Sequence, residues 1–438
     1  FSNPKTPNRG FLMFWCMVCA DCEKLARRVA ELEARLNIYE NAHTSSSMQG
    51  VHVSKIGGNK SRGTPGRKSG HEGTSRKTPE DIHEKIGLKL EVCPCCGQKV
   101  KLRKNSRKRV VTTIVPGTVK NTEYELQRAY CENCKKLVEP VVPNALPNTP
   151  FGLELALYVA FLSMLGITLS KIRTILLHDY SLALSKGTIA NMLEKTASFL
   201  GADYEKLRVE LLKQSNVFGD ETSHPIHGKN GWLWTFVSEK VAYLTVQKRR
   251  GQKVAEKILK NYSGIIHSDF WSAYNKLKCD KQKCLAHLTR ELKHLKEKTR
   301  SKELKKYCSA LLRLLDYARD ENRHSPEFRG FCEQRLQTIL DKKYLDKDCF
   351  RLNKRLQRHA REIFLFAEKE TEITNNRAER SLRPMVIKRK NTYGSYSIEG
   401  AQAHAMLASF YQTSQLQKTD FEEYMKTLIH EKLNPTGS

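Results

Sequence analysis

The stretch "NVFGDETSHPIHGKNGWLWTFVSEKVAYLTVQKRR" (216–250) decides the fold of this protein. It holds three runs rich in β-branched and aromatic residues, "NVFGDE", "WLWTFVSE" and "VAYLTVQKR", with the turn-forming residues "HGKNG" between the first two. A helical pattern, "GQKVAEKILKNY" (251–262), leads to a further strand, "GIIHSD" (264–269). The order β-β-β-α-β predicts an antiparallel meander followed by a crossover, and therefore an α/β sheet domain.

Helical patterns flank this segment on both sides. Residues 150–215 are apolar at helical spacing and predict consecutive helices, and Ser185 is placed to cap one of them. Within them, "LSKGTIANML" (184–193) fits either a DNA-binding helix-turn-helix or helices that only pack against each other. Residues from 287 to about 366 are helical in pattern and highly charged.

The charge balance indicates a polyanionic partner. Lys and Arg number 76 against 47 Asp and Glu, a formal net charge of +29 over 438 residues. Such an excess attracts nucleic acid, and a membrane surface is the alternative. The apolar run "FLMFWCMVCA" (11–20) falls short of the roughly 18 residues that a membrane span needs. We expect a soluble, cytoplasmic, nucleoid-associated protein of two or three domains.

The N-terminal region carries a short heptad pattern in residues 22–40. Less than three heptads fit a dimerising coiled coil and a simple amphipathic helix equally well. The chain begins at Phe1, and Met13 and Met17 are alternative start positions. The apolar positions, spaced alternately by four and three residues, are Leu25, Val29, Leu32, Leu36 and Tyr39.

A basic, Gly-rich segment follows at residues 54–79. It has no apolar periodicity, and Glu72 is its one acid. It is either a solvated linker or an arm that binds DNA phosphates, and its positive charge favours the arm. Arg67 and Lys68 are its candidate phosphate contacts.

Two CxxC pairs predict a structural zinc ribbon. Cys93 and Cys96 lie in "CPCCGQ", and Cys131 and Cys134 lie in "CENC". Four thiolates close a tetrahedral Zn²⁺ site and leave no position for catalysis, whereas Cys95 is an extra thiol that could compete as a ligand. A second site, with three thiolates and no obvious fourth ligand, is an open reading of Cys16, Cys19 and Cys22.

Three carboxylates are candidates for a catalytic metal site. Asp220 follows the strand "NVFG", Asp269 follows "GIIHS", and Glu379 lies among cations in "NNRAERSLRPMVIKRKN" (375–391). Neighbouring strands can bring such aspartates together, and three close anions are stable chiefly around divalent cations. Two Mg²⁺ or Mn²⁺ ions so held can serve phosphodiester chemistry. Each aspartate taken alone favours a strand-end turn or cap, whereas all three carboxylates together, in a protein of net charge +29, favour chemistry.

The stretch around Glu379 predicts a helix over residues 375–383. Thr374 or Asn375 is placed to cap it, and Pro384 is expected to end it. Cations around the carboxylate are expected to bind the DNA backbone, whereas a surface ion pair would need only one of them. The candidate DNA contacts here are Asn376, Arg380, Arg383, Lys388, Arg389 and Lys390, of which Asn376 and Arg383 share a helix face with Glu379.

Several of these motifs together resemble a known family. "GDET" (219–222), "HSDFWSAYN" (267–275), "CLAHLTREL" (284–292) and "NNRAERSLRPMVIKRKNTYGS" (375–395) are similar to the transposase family of insertion sequence 66. The likeness runs from about residue 25 to the C terminus and includes "ENAHTSSS", "GRKSGHEG" and the zinc ribbon.

The resemblance implies an Asp-Asp-Glu transposase with a ribonuclease H-like catalytic domain. Matched motif by motif, its catalytic and metal-binding residues are Asp220, Asp269 and Glu379, and its Cys-x-x-His signature falls on Cys284 and His287. The charged helices up to about residue 366 then correspond to an insertion before the glutamate. The resemblance also implies cleavage at element ends, 3′-OH strand transfer, a homo-oligomer and accessory proteins of the same element. The alternatives are a catalytically inactive zinc-ribbon DNA-binding protein and a metal-dependent nuclease without strand transfer.

Other polar and aromatic residues near these motifs are expected to be structural. His267 is interpreted as a partly buried neighbour of Asp269, and Glu221 is expected to point away from Asp220. Cys284 and His287 are expected to pack or to position groups near the active site. The hairpin histidines His224 and His227 are expected at the surface. Core or strand-face positions, with base stacking as an alternative for the last, are predicted for Trp232, Trp234 and Trp271.

These patterns predict a multidomain protein. It comprises an N-terminal helix or coiled coil (1–48), a basic linker (49–85), a zinc ribbon (86–140), a helical region that is a candidate for DNA binding (141–215), a catalytic domain with a helical insertion at about 288–366 (216–400), and C-terminal helices (401–438).

Overall fold

Twelve α helices and a mixed five-stranded sheet form the body of the computed structural model, which describes residues 149–319 and 323–433 with short pieces between 117 and 147. The described residues from 121 onward belong to one compact unit; a second unit, Val53–Lys120, is described only at positions 117, 119 and 120. The predicted coiled coil, the basic arm and the side chains of all four zinc cysteines lie outside the described residues. A two-stranded sheet pairs β1 (Ala129–Cys131) with β2 (Lys136–Val138).

In the described residues from 149 onward, four helices precede the main sheet, which confirms the helices predicted for residues 150–215. Side-chain oxygens start two of them, since Thr168 Oγ1 accepts a hydrogen bond from Lys171 N and Ser185 Oγ accepts one from Thr188 N. Ser181 adopts a left-handed conformation and ends the second helix. The helices are α1 (Leu153–Met164), α2 (Leu169–Tyr180), α3 (Lys186–Phe199) and α4 (Gly201–Leu212).

The main sheet has the strand order β5-β4-β3-β6-β7. Strands β3, β4 and β5 form an antiparallel meander, and β6 and β7 run parallel to β3. The predicted order β-β-β-α-β is therefore confirmed, and β7 is an addition that its polar sequence "DKQK" did not indicate. The strands and the crossover helix are β3 (Asn216–Ser223), β4 (Trp232–Val237), β5 (Ala242–Gln247), α5 (Gln252–Ile258), β6 (Ile265–Ser268) and β7 (Asp280–Lys283).

The helix after the catalytic motifs covers the free edge of β5. Helices α11 (Ile398–Leu416) and α12 (Phe421–Leu433) follow the motifs, and small buried alanines let α11 approach the sheet closely. The oxygens of Ser409 and Thr413 accept hydrogen bonds from Leu244 N (2.8 Å) and Ala242 N (3.1 Å). These backbone N–H groups at the edge of β5 are thus hydrogen-bonded to side chains and are not available for pairing with another chain.

The helices between β7 and Glu379 have a hydrophobic core of their own. Their inward positions, such as Leu292, Leu311, Leu336 and Leu356, are at most 2% exposed. The helices are α6 (Leu285–Lys298), α7 (Lys302–Ala318), α8 (Pro326–Leu340) and α9 (Lys347–Ile363), which confirms the helical pattern predicted from 287 to about 366.

The helix that carries Glu379 is longer than predicted. It is α10 (Asn376–Thr392), so the prediction that Pro384 ends it was wrong. A proline costs the helix one backbone hydrogen bond, but the turns beyond it are held by buried Met385 and Val386. The helix ends where Tyr393 takes a left-handed conformation (φ 58°).

The division into domains stays a prediction, although the boundary proposed at residue 400 falls inside α11. Every helix in the described residues is too short or too polar to cross a membrane.

Candidate active site

Two parallel strands bring Asp220 and Asp269 side by side. Strands β3 and β6 pair Asn216 with Ile265 and Phe218 with His267. Asp220, in β3, and Asp269, one residue past the end of β6, each lie two residues beyond the second of these pairs, so the register brings them to neighbouring positions. Both carboxylates are partly buried. Asp220 Oδ1 accepts a hydrogen bond from Glu221 N and Asp269 Oδ1 one from Trp271 N, each at 2.9 Å.

The third carboxylate, Glu379, comes from the first turn of α10 and is 7% exposed. The start of this helix is fixed by Asn375, whose side-chain Nδ2 donates to Gly219 O (2.9 Å) and whose backbone N donates to Cys284 Sγ (3.2 Å). Asn375 does precede the helix as predicted, but its side chain binds the strand next to Asp220 instead of capping the helix.

The negative charges of the neighbouring carboxylates act on Asp220. Burial raises the pKa of Asp220 well above its usual range, and the negative charges of Glu221, Asp269 and Glu379 raise it further. The hydrogen bond from Glu221 N offsets a part of this. A divalent cation between these groups would relieve both the desolvation and the repulsion.

The donor set fits a hard cation, but it is not preassembled. Carboxylate oxygens are the ligands that Mg²⁺ takes in proteins. In the described part of the chain, however, no three His, Cys, Asp or Glu side chains converge closely enough to hold a metal ion together. Asp220, Asp269 and Glu379 would therefore have to turn toward a common point to bind one.

Comparison with known proteins decides the family. The sequence model of the Transposase IS66 family matches residues 155–403, which is more than half of the chain. This chain belongs to the IS66 transposase family. The resemblance seen in its motifs is thereby confirmed, and the match spans the structure from α1 into α11.

One curated relative of this IS66-family chain is the "Uncharacterized protein y4jD" of Sinorhizobium fredii (strain NBRC 101917 / NGR234). The two are 24% identical over 280 residues, which is 55% of this chain and 55% of the relative. The chain thus spans about half the length of this relative.

The Cys-x-x-His motif of this family member lies against the glutamate helix. Cys284 precedes α6 and is 1% exposed, and its N–H donates to Ser268 O (2.9 Å). Burial raises the pKa of the Cys284 thiol, which disfavours the thiolate needed for metal ligation. His287 is 4% exposed, and its Nδ1 lies 3.6 Å from Glu379 Oε1. Both residues are placed to position α10 and its carboxylate.

Glu221 points away from Asp220, as expected, into a pocket that the sequence did not reveal. It is 3% exposed; Tyr274 Oη donates to its Oε2 and Arg250 Nε to its Oε1, both at 2.8 Å. Burial and the charge of Asp269 raise the pKa of Glu221 to about 7, against the opposing effects of Arg250 and Tyr274. Arg250 lies outside the family motifs, and Tyr274 lies in "HSDFWSAYN" without any sign of its partner, since each contacts Glu221 from a different element.

His267 is a structural residue. It stacks on Phe218, with ring centroids 4.2 Å apart, and its Nε2 contacts Asn216 Oδ1 and Thr371 Oγ1. Burial lowers the pKa of His267 to about 3, so it stays neutral. The interpretation as a buried neighbour of Asp269 agrees with these contacts.

The hairpin histidines differ from each other. His227 is exposed, as expected, in a left-handed turn. His224 is 5% exposed and its Nε2 contacts Ser395 Oγ (2.9 Å), so its expected surface position was wrong. Burial lowers the pKa of His224 to about 4. The reason is that the loop after α10 covers this hairpin, which no local pattern indicates.

The cations of α10 divide into exposed and inward groups. Lys388, a candidate phosphate contact, donates from Nζ to Ser163 O (3.1 Å) and to His404 Nδ1 (3.2 Å), so its ammonium is directed into the protein. Arg389 donates to Thr222 Oγ1 (3.0 Å) and to Ser223 O. Both predictions of DNA contact are corrected, because these side chains anchor α10 to α1 and β3. Exposed positions remain for Asn376, Arg380, Arg383 and Lys390.

The predicted common face of the helix is only partly correct. Asn376 and Arg383 are exposed, whereas Glu379 is turned inward toward His287. The exposed cations therefore flank the carboxylate and do not surround it.

Lys388 gives a testable pH dependence. Burial lowers its pKa from 10.5 to about 7. Between these pH values the unfolded chain binds a proton that the folded protein releases, so stability rises with pH in this window. Below pH 7 the folded protein bears the whole cost of the buried charge. Lys388→Met is therefore expected to raise the melting temperature at pH 6 by roughly 2 °C more than at pH 9.

The matched control is Lys390→Met, two residues further along α10 and exposed. Thermal unfolding of wild type and both variants at the two pH values checks this. An equal effect of Lys388→Met at pH 6 and pH 9 would show that its ammonium is fully solvated.

A buried lysine near the site, Lys283, was not indicated by any sequence motif. Lys283, at the end of β7, is 0% exposed, and its Nζ donates to Asp269 O (3.0 Å) and to Ser268 Oγ (3.2 Å). It lies 3.8 Å from Glu362 Oε2, and burial lowers its pKa. Lys283 holds the backbone from which Asp269 projects.

Proposed function

We propose that this protein is an Asp-Asp-Glu DNA transposase that cleaves the ends of its element and joins the 3′-OH to target DNA. The observation that carries the proposal is the parallel pairing of β3 with β6, which brings Asp220 in β3 near Asp269 just past β6, with Glu379 added from α10. The family supports a transposase-type function, and these three residues supply a site for its chemistry.

The topology supports a ribonuclease H-like catalytic domain. An antiparallel meander continues into two parallel strands, and the two aspartates lie where β3 and β6 adjoin at the centre of the sheet. A helix crossing the sheet then brings the third carboxylate to the same place. Asp220 lies in β3 and Glu379 in α10, whereas Asp269 directly follows β6. Side chains on strands and helices hold their positions better than side chains on loops.

Different residues of the chain would bind the metal ions, position the glutamate and bind the DNA. Asp220, Asp269 and Glu379 would hold two Mg²⁺ or Mn²⁺ ions, which activate the attacking oxygen and stabilise the leaving oxygen of an in-line displacement. His287 keeps Glu379 in place, and the exposed Arg380 and Arg383 bind the DNA backbone.

The N-terminal third would recognise the element ends. A ribbon closed by Cys93, Cys96, Cys131 and Cys134 around one Zn²⁺ and an arm with Arg67 and Lys68 provide a metal-stabilised module and a polycationic segment for this task. Two ends must be joined together, which calls for a homo-oligomer, with accessory proteins of the same element as further partners.

The test is strand transfer with purified protein, Mg²⁺ or Mn²⁺, and a pre-cut duplex that ends in the element's terminal repeat. Wild type should give joined product, and Glu379→Gln should lower its yield about 10³-fold while DNA binding persists, because loss of a metal ligand removes several kcal/mol of transition-state stabilisation. Glu370→Gln, an exposed carboxylate just before α10, is the matched control and should join like wild type.

Two other outcomes would replace the proposal. Cutting without joining would indicate a metal-dependent nuclease. Binding without cutting or joining by wild type, with the accessory proteins of the element added, would indicate an inactive DNA-binding protein.

A further inference from the structure

Arg250, directly after β5, is enclosed by two indole rings. Its guanidinium carbon lies 4.0 Å from the centroid of the Trp271 ring and 4.7 Å from that of Trp232. The side chain is 28% exposed, so one side of it remains open to solvent. Contact with aromatic faces stabilises a guanidinium and limits its rotation.

Glu221 fixes the third side of this guanidinium. The bond from Arg250 Nε to Glu221 Oε1 (2.8 Å) is aligned by Tyr274, which holds the other oxygen of the same carboxylate. This contact uses only Nε. Among the residues that the structure describes, none accepts a hydrogen bond from the terminal nitrogens Nη1 and Nη2.

The enclosed arginine is linked to the candidate metal site through Trp271. This residue lies against the guanidinium and donates its backbone N–H to Asp269 Oδ1 (2.9 Å). The other partner, Glu221, follows Asp220 in β3 but points away from it. One residue therefore separates Arg250 from Asp269, on the Glu221 side of β3.

We propose that Arg250 binds a phosphate of the DNA beside the reacting bond with its two terminal nitrogens. A guanidinium fork matches two phosphate oxygens, and one that is already held in place loses little entropy when the phosphate arrives. This inference rests on the proposed function, since it names a substrate contact of the same site.

A purely structural role for Arg250 is the competing explanation. Neutralising the buried Glu221 would need one contact from Nε and would place no demand on Nη1 and Nη2. The two explanations differ in whether the residue senses the charge of one DNA phosphate, which a stability measurement cannot report.

The experiment uses the full chain and pre-cut DNA ends in which one phosphate near the reacting 3′ end is replaced by an uncharged methylphosphonate. Binding without divalent metal and strand transfer with Mg²⁺ are both measured. Wild type should lose about 10- to 100-fold in binding at one methylphosphonate position. Arg250→Gln should show a loss of that size with normal DNA and no further loss at that position.

Arg208→Gln is the matched control. Arg208 also donates from Nε to a carboxylate, Glu205, and its side chain is 27% exposed, but it lies on α4 away from the aspartates. Its variant should keep the wild-type sensitivity to every methylphosphonate.

The inference is overturned if Arg250→Gln keeps the full wild-type sensitivity at every position. Should that variant unfold, Arg250→Lys serves instead: it keeps a cation for Glu221 but loses the fork, and the same comparison decides. The binding arm needs no catalysis, so a wild type that senses one phosphate but never joins DNA would remove the proposed function and leave the phosphate contact standing.

Discussion

Replacing Asp220 by Asn is expected to stabilise the metal-free protein and to lower strand transfer by about 10³-fold. The buried carboxylate of Asp220 is repelled by Glu221, Asp269 and Glu379, and an amide removes that repulsion. Asn keeps an oxygen for the hydrogen bond from Glu221 N. The gain should be on the order of 1 kcal/mol, which raises the melting temperature in EDTA by about 2 °C.

The same variant tests metal binding. Mg²⁺ should raise the melting temperature of wild type, since a ligand that binds only the folded state stabilises it, and should raise that of Asp220→Asn less. Asp280→Asn removes an exposed carboxylate from β7, paired with Lys369, and should leave stability and activity nearly unchanged. A lower melting temperature for Asp220→Asn in EDTA would contradict the repulsion.

Replacing Gly394 by Ala is expected to cost about 2–3 kcal/mol of the free energy of unfolding. Gly394 has φ +113°, and an added Cβ would lie 2.2 Å from Pro225 O. The loop after α10 is joined to the β3–β4 hairpin by hydrogen bonds from Ser395 N to Pro225 O (2.9 Å) and from His227 N to Ser395 O (2.8 Å). Denaturant unfolding gives the cost, and faster amide exchange at Ser395 and His227 locates it.

Gly330→Ala is the matched control for this substitution. Gly330 lies within α8, and a Cβ there meets no atom within 4 Å. Because alanine favours a helix over glycine, this variant should gain about 0.5–1 kcal/mol. Equal effects of the two substitutions would mean that Gly394 has no special conformation.

The parts of the fold that carry local patterns could be predicted. Apolar runs of strand length marked β3 to β6, and helical spacing marked the helices before and after them. The strand β7 was missed because its buried positions are Gln282 and Lys283, and a polar strand has no signal of its own. The passage of α10 through Pro384 was missed because residues far from it in sequence, such as Ser163, hold its second half.

Site residues could be predicted from the sequence only where the residue type indicates its role without knowledge of its partners in the fold. Two carboxylates at strand ends and a third inside a basic helix together point to metal and DNA chemistry. Arg250 and Lys283 depend on partners in other elements, and their roles follow from the register of the sheet. Lys388 shows the reverse case, because a charge that looks available for phosphate is bound inside the protein.

The helical segment α6–α9 begins and ends at the same point of the α/β sheet domain. Leu285 N donates to Ile373 O at 2.9 Å. A single backbone hydrogen bond therefore joins the two positions between which α6–α9 lie. With a separate hydrophobic core and closed ends, such a segment can lengthen, shorten or be exchanged without moving Asp269 or Glu379, since loop closure depends only weakly on the length between fixed ends. Evolution could therefore change what this insertion contacts while the chemistry stays constant, and a protein engineer could graft another domain at the same junction.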